Sequence, residues 1–260
     1  MFDINKFKTN KPFSQRYEKH LQKLKDKDSN FITSYIEKTV SRAIANLSEG
    51  VKSFIIYGAP QSGKTEMMIA LTAKLLDLGH KIIIILLNDN VGLLEQNLRR
   101  FAKADIDPDP KIFKEILDDS YEIKDHEWII FCKKNAADLK KLIRKLEDHK
   151  EKVIIDDEAD DASPNSKINK NEKTKINDLI GKLLHGGIYI GVTATPARLD
   201  LNSTFDNAND RWVHFPAHSK YTGQDVFFPF DLTAPKYILN ILPLSYDDPK
   251  FLREALFRFT

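Results

Sequence analysis

The stretch that decides the fold is Gly58-Ala59-Pro60-Gln61-Ser62-Gly63-Lys64-Thr65, which follows the apolar run Ser53–Tyr57 (SFIIY) and leads into a helix-period segment from Glu66 to Leu78. A glycine-bounded loop between a buried strand and a helix is a cradle for phosphate. Gly58 and Gly63 let the backbone curl so that successive N–H groups point at one anion. The helix that starts near Gly63 adds its positive N-terminal end. In this pattern Lys64 reaches the β- and γ-phosphates of a nucleotide and the Thr65 hydroxyl can ligand magnesium, with Pro60, Gln61, Ser62 and Glu66 completing the cradle.

Working outward, short apolar runs alternate with helical segments. Lys81–Leu87 (KIIIILL), Trp128–Cys132 (WIIFC), Lys152–Asp156 (KVIID) and Ile188–Val192 (IYIGV) join SFIIY as strands. Helices are expected over Val91–Lys103, Ala136–Leu146 and Thr174–Leu184, with a short one at Lys111–Leu117. The strand runs lack polar alternation, as strands covered on both faces do. The pattern predicts an α/β fold: a parallel, doubly wound sheet of about five strands that binds ligands at its carboxyl edge. Upstream, Tyr17–Lys27 reads as a helix, and Ile32–Leu47 as a helix with one core-facing stripe. Three regions follow: a basic helical extension over 1–50, the nucleotide-binding lobe over 51–200, and an irregular stretch over 201–260. In the last, Asn202–Asp210 reads as a loop and Pro249–Phe259 as the start of a helix.

Composition sets the outer bounds. A chain of 260 residues with 42% hydrophobic and 30% charged residues has the make-up of an ordinary globular protein. The lone Cys132 excludes an intrachain disulfide, and the first residues, MFDINKFKTNKP, hold no apolar core of a signal peptide. Both features predict a cytoplasmic protein. A formal charge of +2 does not advertise nucleic acid, but its distribution is uneven. Met1–Lys27 carries eight Lys/Arg against three acids, which fits either a solvated helix face or a nucleic-acid neighbour.

Two further stretches carry chemistry. In Val153–Asp160 (VIIDDEAD) an apolar strand runs into acids beside the phosphate loop. Asp157 is expected to hold magnesium and Glu158 to take the proton of the water that attacks the γ-phosphate. The strand is read as ending at Asp156. In Val192–Pro196 (VTATP), Thr193 and Thr195 place hydroxyls at the carboxyl edge of the sheet, where they can bond an acid such as Asp160.

In this order GKT, DEAD and TAT resemble motifs I, II and III of the superfamily 2 helicases. The longer series QSGKT, LGHKIIIILLNDNVGLLEQNLRRF, FCKKNAADLKKLIRKL, IIDDEADDASPNS, INDLIGKLL and YIGVTATP is similar to the Z-domain branch. That branch holds helicase-like ATPases encoded near prokaryotic restriction, methylation and defence genes. Ser163-Pro164-Asn165 departs from its usual Ser-Ile-Asn. The resemblance implies a RecA-like P-loop lobe using ATP and Mg2+, with Thr193 and Thr195 pairing to Asp160 to link hydrolysis to movement. It also implies nucleic acid as a partner, DNA before RNA, with Arg99, Arg100 and Lys103 as phosphate contacts; plain exposed cations are the alternative. A second RecA-like lobe, in cis or in trans, is expected to complete the ATP site with an arginine. The 64 residues after Pro196 are too few to build that lobe, so this one is expected to hydrolyse ATP weakly by itself.

Weaker patterns are set aside. Pro108-Asp109 with Glu122 and Lys124 fits a loose nuclease expression but falls in a crossover between two strands. His214 and His218 lack a third ligand nearby in sequence. Gln15, between Phe13 and Tyr17, stands far upstream for an adenine-reading glutamine. Two rival functions remain: a P-loop switch that signals nucleotide state to a partner or nuclease without translocating, and a non-catalytic interaction module.

Overall fold

The computed structural model describes residues 15–27, 33–118, 121–123, 126–160, 170–196, 211–218 and 221. The chain divides into two units, residues 1–219 and 220–260, and the architecture below is that of the first.

Each expected apolar run forms a strand because its apolar side chains, rich in β-branched and aromatic residues, can be buried on both faces. These are β1 (Ser53–Tyr57), β2 (Ile82–Leu87), β4 (Trp128–Lys133), β5 (Lys152–Asp157) and β6 (Ile188–Thr193). Two short strands extend the edges, β3 (Lys111–Ile112) and β7 (Val213–His214). All neighbours pair in parallel, in the order β3-β4-β2-β5-β6-β1-β7. In register, Ile84 lies between Ile130 and Ile154, and Phe54 lies opposite Ile190. The helices are α1 (Arg16–Lys27), α2 (Ser34–Ser48), α3 (Lys64–Asp77), α4 (Val91–Ala104), α5 (Phe113–Ile116), α6 (Ala136–Lys145) and α7 (Lys170–Leu184).

Strand period divides the core in two. Ile83, Ile85 and Leu87 of β2 face a layer built from α1 to α4 with Tyr17, Ile36, Met68 and Phe101; Ile82, Ile84 and Leu86 face α5 to α7 with Phe113, Leu139 and Leu183. The sheet is thus covered on both sides, which is the doubly wound arrangement.

β3 replaces the first turn of the short helix expected at Lys111, and β7 lies in a stretch without sustained period. A two-residue strand is too short to show a period, so edge pairing with Ile130-Phe131 or Ile56-Tyr57 decides its conformation. α7 begins at Lys170, four residues before its first expected residue Thr174, because KNEK carries no apolar marker. The expected loop over Asn202–Asp210, the expected helix over Pro249–Phe259 and the Ser163-Pro164-Asn165 departure lie outside the described residues.

The N-terminal helix is tied to the helix that follows the phosphate loop. Asp77, in the last turn of α3, accepts the backbone N–H groups of Arg16 (3.2 Å) and Tyr17 (3.0 Å), capping the start of α1. Lys74 Nζ stands 5.1 Å from the Tyr17 ring centre, and burial, then Glu37 and Glu18, push the Tyr17 phenol up to about 12. Buried His20 brings Nε2 to 2.9 Å from Glu66 Oε1, directly after the GKT segment. Among the described residues, no helix is long and apolar enough to cross a membrane.

Candidate active site

The loop joining β1 to α3 is closed by its own backbone. Gly58 N–H donates to the Thr193 carbonyl at 3.1 Å, fastening the start of the loop to β6, and Ser62 N–H donates to the Ala59 carbonyl at 3.2 Å. Gly63 holds φ +93°, a left-handed conformation that glycine adopts without cost, and caps α3. Lys64 Nζ turns into the loop, 2.8 Å from the Ala59 carbonyl and 3.2 Å from that of Gly58. Burial lowers the pKa of its ammonium, and Asp157, Glu158 and Asp160 pull it back up, so one cation and three carboxylates share a field. Ser62 Oγ is buried with no hydrogen-bond partner among the described residues. A partly desolvated ammonium, an orphaned hydroxyl and a helix N-terminus fit a phosphate group.

The acidic turn is set by strand period. β5 continues one residue beyond the expected end, through Asp157, so Asp156 and Asp157 point to opposite faces. Asp156 goes to the α6 and α7 side, where its Oδ2 accepts the Tyr189 hydroxyl at 2.9 Å and its Oδ1 forms an ion pair with Lys134 Nζ at 3.0 Å. Burial, reinforced by Asp156, raises the Tyr189 phenol well above its ordinary value. Asp157 goes to the phosphate-loop side. Burial and then Glu158 raise its carboxyl to about 6, against the opposing pull of Lys134 and Lys64. Glu158 itself is exposed, has φ +56°, and accepts a hydrogen bond on Oε2 from the Asn88 amide.

The third element closes onto the second. Ala159 N–H donates to the Val192 carbonyl at 3.0 Å. The Asp160 carboxylate accepts the Thr193 hydroxyl on one oxygen and the Thr195 hydroxyl on the other, and Thr195 N–H donates to Thr193 Oγ1 at 2.9 Å. Loop, acidic turn and threonine pair therefore meet at the carboxyl ends of β1, β5 and β6.

The three cations Arg99, Arg100 and Lys103 have different surroundings. Arg99 pairs with Glu95 at 3.1 Å along α4, and Lys103 is exposed. Arg100 donates from Nη1 to Thr65 Oγ1 at 3.1 Å, beside Asn97 Oδ1 at 3.5 Å from the same hydroxyl. Gln15 is exposed at the start of α1; His214 stacks near Tyr57 and His218 near Tyr35, with ring centres 5.1 and 6.1 Å apart. Reading the sequence did not single out Lys134, Asn88, Tyr189 or His20 for the site. The signal for the first two was their place just after β4 and β2, at the edge where ligands bind in such sheets.

The family model described as "Type III restriction enzyme, res subunit" (ResIII) matches residues 18–198. No curated protein matches the sequence significantly. Among solved structures, the chain is similar to the Sulfolobus solfataricus SWI2/SNF2 ATPase core in complex with dsDNA, at 21% identity and a TM-score of 0.40, over 60% of this chain and 31% of that one. It is also similar to the Pyrococcus furiosus Hef helicase domain, at 15% identity and a TM-score of 0.44, over 72% of this chain and 40% of that one. The match thus takes in less than half the length of either. Because the family model runs from within α1 to just past the threonine pair, the chain belongs to the ResIII family of type III restriction enzyme res subunits and is a superfamily 2 helicase-like ATPase lobe.

Proposed function

We propose that this chain is the ATP-binding motor lobe of a nucleic-acid-dependent ATPase, working as a helicase or DNA translocase. One observation carries the reading. Asp160 accepts hydroxyl hydrogen bonds from both Thr193 and Thr195, while Asp157, three residues earlier, faces the field of Lys64. A rearrangement at the phosphate loop therefore reaches the segment after β6 through two hydrogen bonds, which is the link that coupling hydrolysis to motion requires.

The ligand is ATP with Mg2+, whose charge offsets that building on the phosphoryl oxygens during transfer. Lys64 and the backbone of Gly58–Thr65 would hold the phosphates, and Thr65 and Asp157 the metal. Glu158 would take the proton of the attacking water. Residues 51–200 form the motor lobe, 1–50 its extension, and 201–260 the connection toward a second RecA-like lobe supplied in cis or in trans. Without an arginine from that lobe turnover falls by roughly a thousandfold or more, so this lobe alone binds ATP and hydrolyses it slowly. The family is named for a restriction-enzyme subunit, which supports DNA as the track, a nuclease or other defence subunit as companion, and a prokaryotic or phage setting. Within the superfamily we place the chain in the Z-domain branch, on the motif series quoted above.

The test is ATP turnover by the protein with single-stranded DNA, double-stranded DNA, RNA or no nucleic acid, alongside Lys64→Ala and Glu158→Gln. DNA is expected to raise turnover. Lys64→Ala should lose ATP binding, whereas Glu158→Gln should keep binding and lose hydrolysis. If DNA changes neither turnover nor ATP affinity, the motor reading fails and the signalling switch takes its place. If both variants keep full function, neither enzyme reading survives.

A further inference from the structure

Glu158 needs help to stand where it does. A φ of +56° is the left-handed region, which costs a side-chain-bearing residue roughly 1–2 kcal/mol relative to its ordinary conformations. The residue is also exposed, so packing does not hold it. Two polar side chains from neighbouring strand ends do. Lys134, just past β4, has a side chain only 4% exposed, and its ammonium has three oxygen partners: Asp156 Oδ1 at 3.0 Å and the carbonyls of Asp157 and Glu158, both at 2.9 Å. Two of its N–H groups donate to the carbonyls, and Asp156 balances its charge as an ion pair. Asn88, just past β2, donates its amide to the Glu158 carboxylate.

The two helpers form one unit. Asp89, next to Asn88, accepts Lys133 Nζ and the Asn135 amide, the latter at 3.1 Å, and these residues flank Lys134. The hydrogen bond from Lys133 holds the Asp89 carboxyl below its usual range. The Lys134 N–H also donates to the Leu87 carbonyl at 2.7 Å. The loops after β2 and β4 are therefore fastened together, and the turn after β5 is fastened to both.

We propose that Lys134 and Asn88 are positioning residues for the hydrolytic turn: Lys134 fixes the backbone of Asp157-Glu158, and Asn88 fixes the Glu158 carboxylate. This rests on the reading of Glu158 as general base. A base displaced by about 1 Å can cost a hundredfold in rate, while binding of the nucleotide, which uses the phosphate loop, is untouched. A merely structural role makes a different forecast. Lys134 and Asp156 form a buried ion pair, so removing the lysine alone also leaves a buried charge unpaired, which destabilises any fold. The two effects separate in a double variant. Lys134→Met with Asp156→Asn removes both charges, keeps the volumes, and leaves Tyr189 an amide oxygen to bond. It does not restore a donor to the carbonyls of Asp157 and Glu158.

The experiment measures kcat and KM for ATP, binding of a fluorescent ATP analogue, and the urea midpoint for wild type, Glu158→Gln, Lys134→Met, the double variant and Asn88→Ala. Lys134→Met is expected to lower both kcat and the urea midpoint. The double variant is expected to recover the midpoint while kcat stays down about a hundredfold at unchanged analogue affinity. Recovery of kcat together with stability overturns the Lys134 assignment. Asn88→Ala, which breaks no buried pair, is expected to keep the midpoint and analogue affinity and to lose kcat by about tenfold or more, within the range ascribed to general-base catalysis. Unchanged kcat there overturns the Asn88 assignment. If Glu158→Gln hydrolyses ATP like wild type, the general-base reading itself fails, an outcome distinct from both.

Discussion

A β-carbon added to Gly58 would stand 2.6 Å from the Phe215 carbonyl oxygen and 3.1 Å from its Cβ. The first glycine of the phosphate loop is therefore kept bare by its approach to the chain beyond β7. Phe215 N–H donates to the Tyr57 carbonyl at 2.7 Å, so the obstructing backbone is tied to β1 and has little room to retreat. Gly58→Ala is expected to cost about 1–3 kcal/mol of stability, the range for inserting a methyl into a packed site. It should also weaken ATP binding. Urea unfolding and titration with an ATP analogue measure both. Because the nearest atom is backbone, trimming the Phe215 side chain should not rescue the variant; rescue would show that ring contact is the obstacle.

The Asp160 bridge makes a second forecast. Thr193 and Thr195 bond one carboxylate, and removing both hydroxyls by Thr193→Val with Thr195→Ala cuts the link while leaving Lys64, Asp157 and Glu158 in place. Basal ATP turnover is expected to persist. Stimulation by DNA should fall about tenfold, the scale of a coupling energy near 1.4 kcal/mol. Turnover measured across a DNA titration decides the matter. A variant stimulated like wild type would show that the bridge is structural only.

The residues differ in how much of this could be read from sequence. Five strands and the three chemical segments were legible because each strand is a continuous apolar run and each segment sits at a strand's carboxyl end. The strand's alternation, which runs on through Asp157, sets Asp156 and Asp157 on opposite faces, and the sequence read the strand as stopping one residue short of showing it. Lys134 and Asn88 were illegible for another reason. A lysine and an asparagine after a strand read as solvated loop residues, and only the fold brings them to Glu158, 24 and 70 residues away. The docking of α1 on α3 through Asp77 and Glu66 is equally non-local.

Arg100 and its neighbours differ in what they touch. The guanidinium of Arg100 lies on the Thr65 hydroxyl, whereas Arg99 and Lys103 are exposed along the helix. Arg100→Ala is expected to raise the KM for ATP about tenfold or more, from about 1.5–3 kcal/mol for one hydrogen bond made by a charged group. The salt dependence of DNA binding should not change. Arg99→Ala or Lys103→Ala, if either cation meets a phosphate of duplex DNA, should reduce the slope of log K against log salt by about 0.9. A reduced salt slope in Arg100→Ala, with KM for ATP unaltered, would return that residue to the nucleic-acid side.

Asp157 carries a cost that the nucleotide-free protein should reveal. Its carboxyl titrates at about 6 in the fold against an ordinary 3.8, chiefly because burial disfavours the charge and Glu158 repels it. The folded state therefore binds this proton more tightly than the unfolded chain. The resulting stabilisation is complete below pH 3.8 and disappears as pH rises through about 6. Relative to the protonated state, ionised Asp157 leaves the fold about 3 kcal/mol less stable at pH 8, from about two pKa units at 1.36 kcal/mol each. Asp157→Asn removes the charge at every pH. Nucleotide-free, the variant should be more stable than wild type at pH 8, by up to about 3 kcal/mol, and the advantage should shrink as the pH is lowered toward 4. Urea unfolding at pH 8, 6 and 4.5 measures the trend. An Asp157→Asn protein no more stable than wild type at pH 8 would mean that Lys64 and Lys134 already neutralise the carboxylate in full.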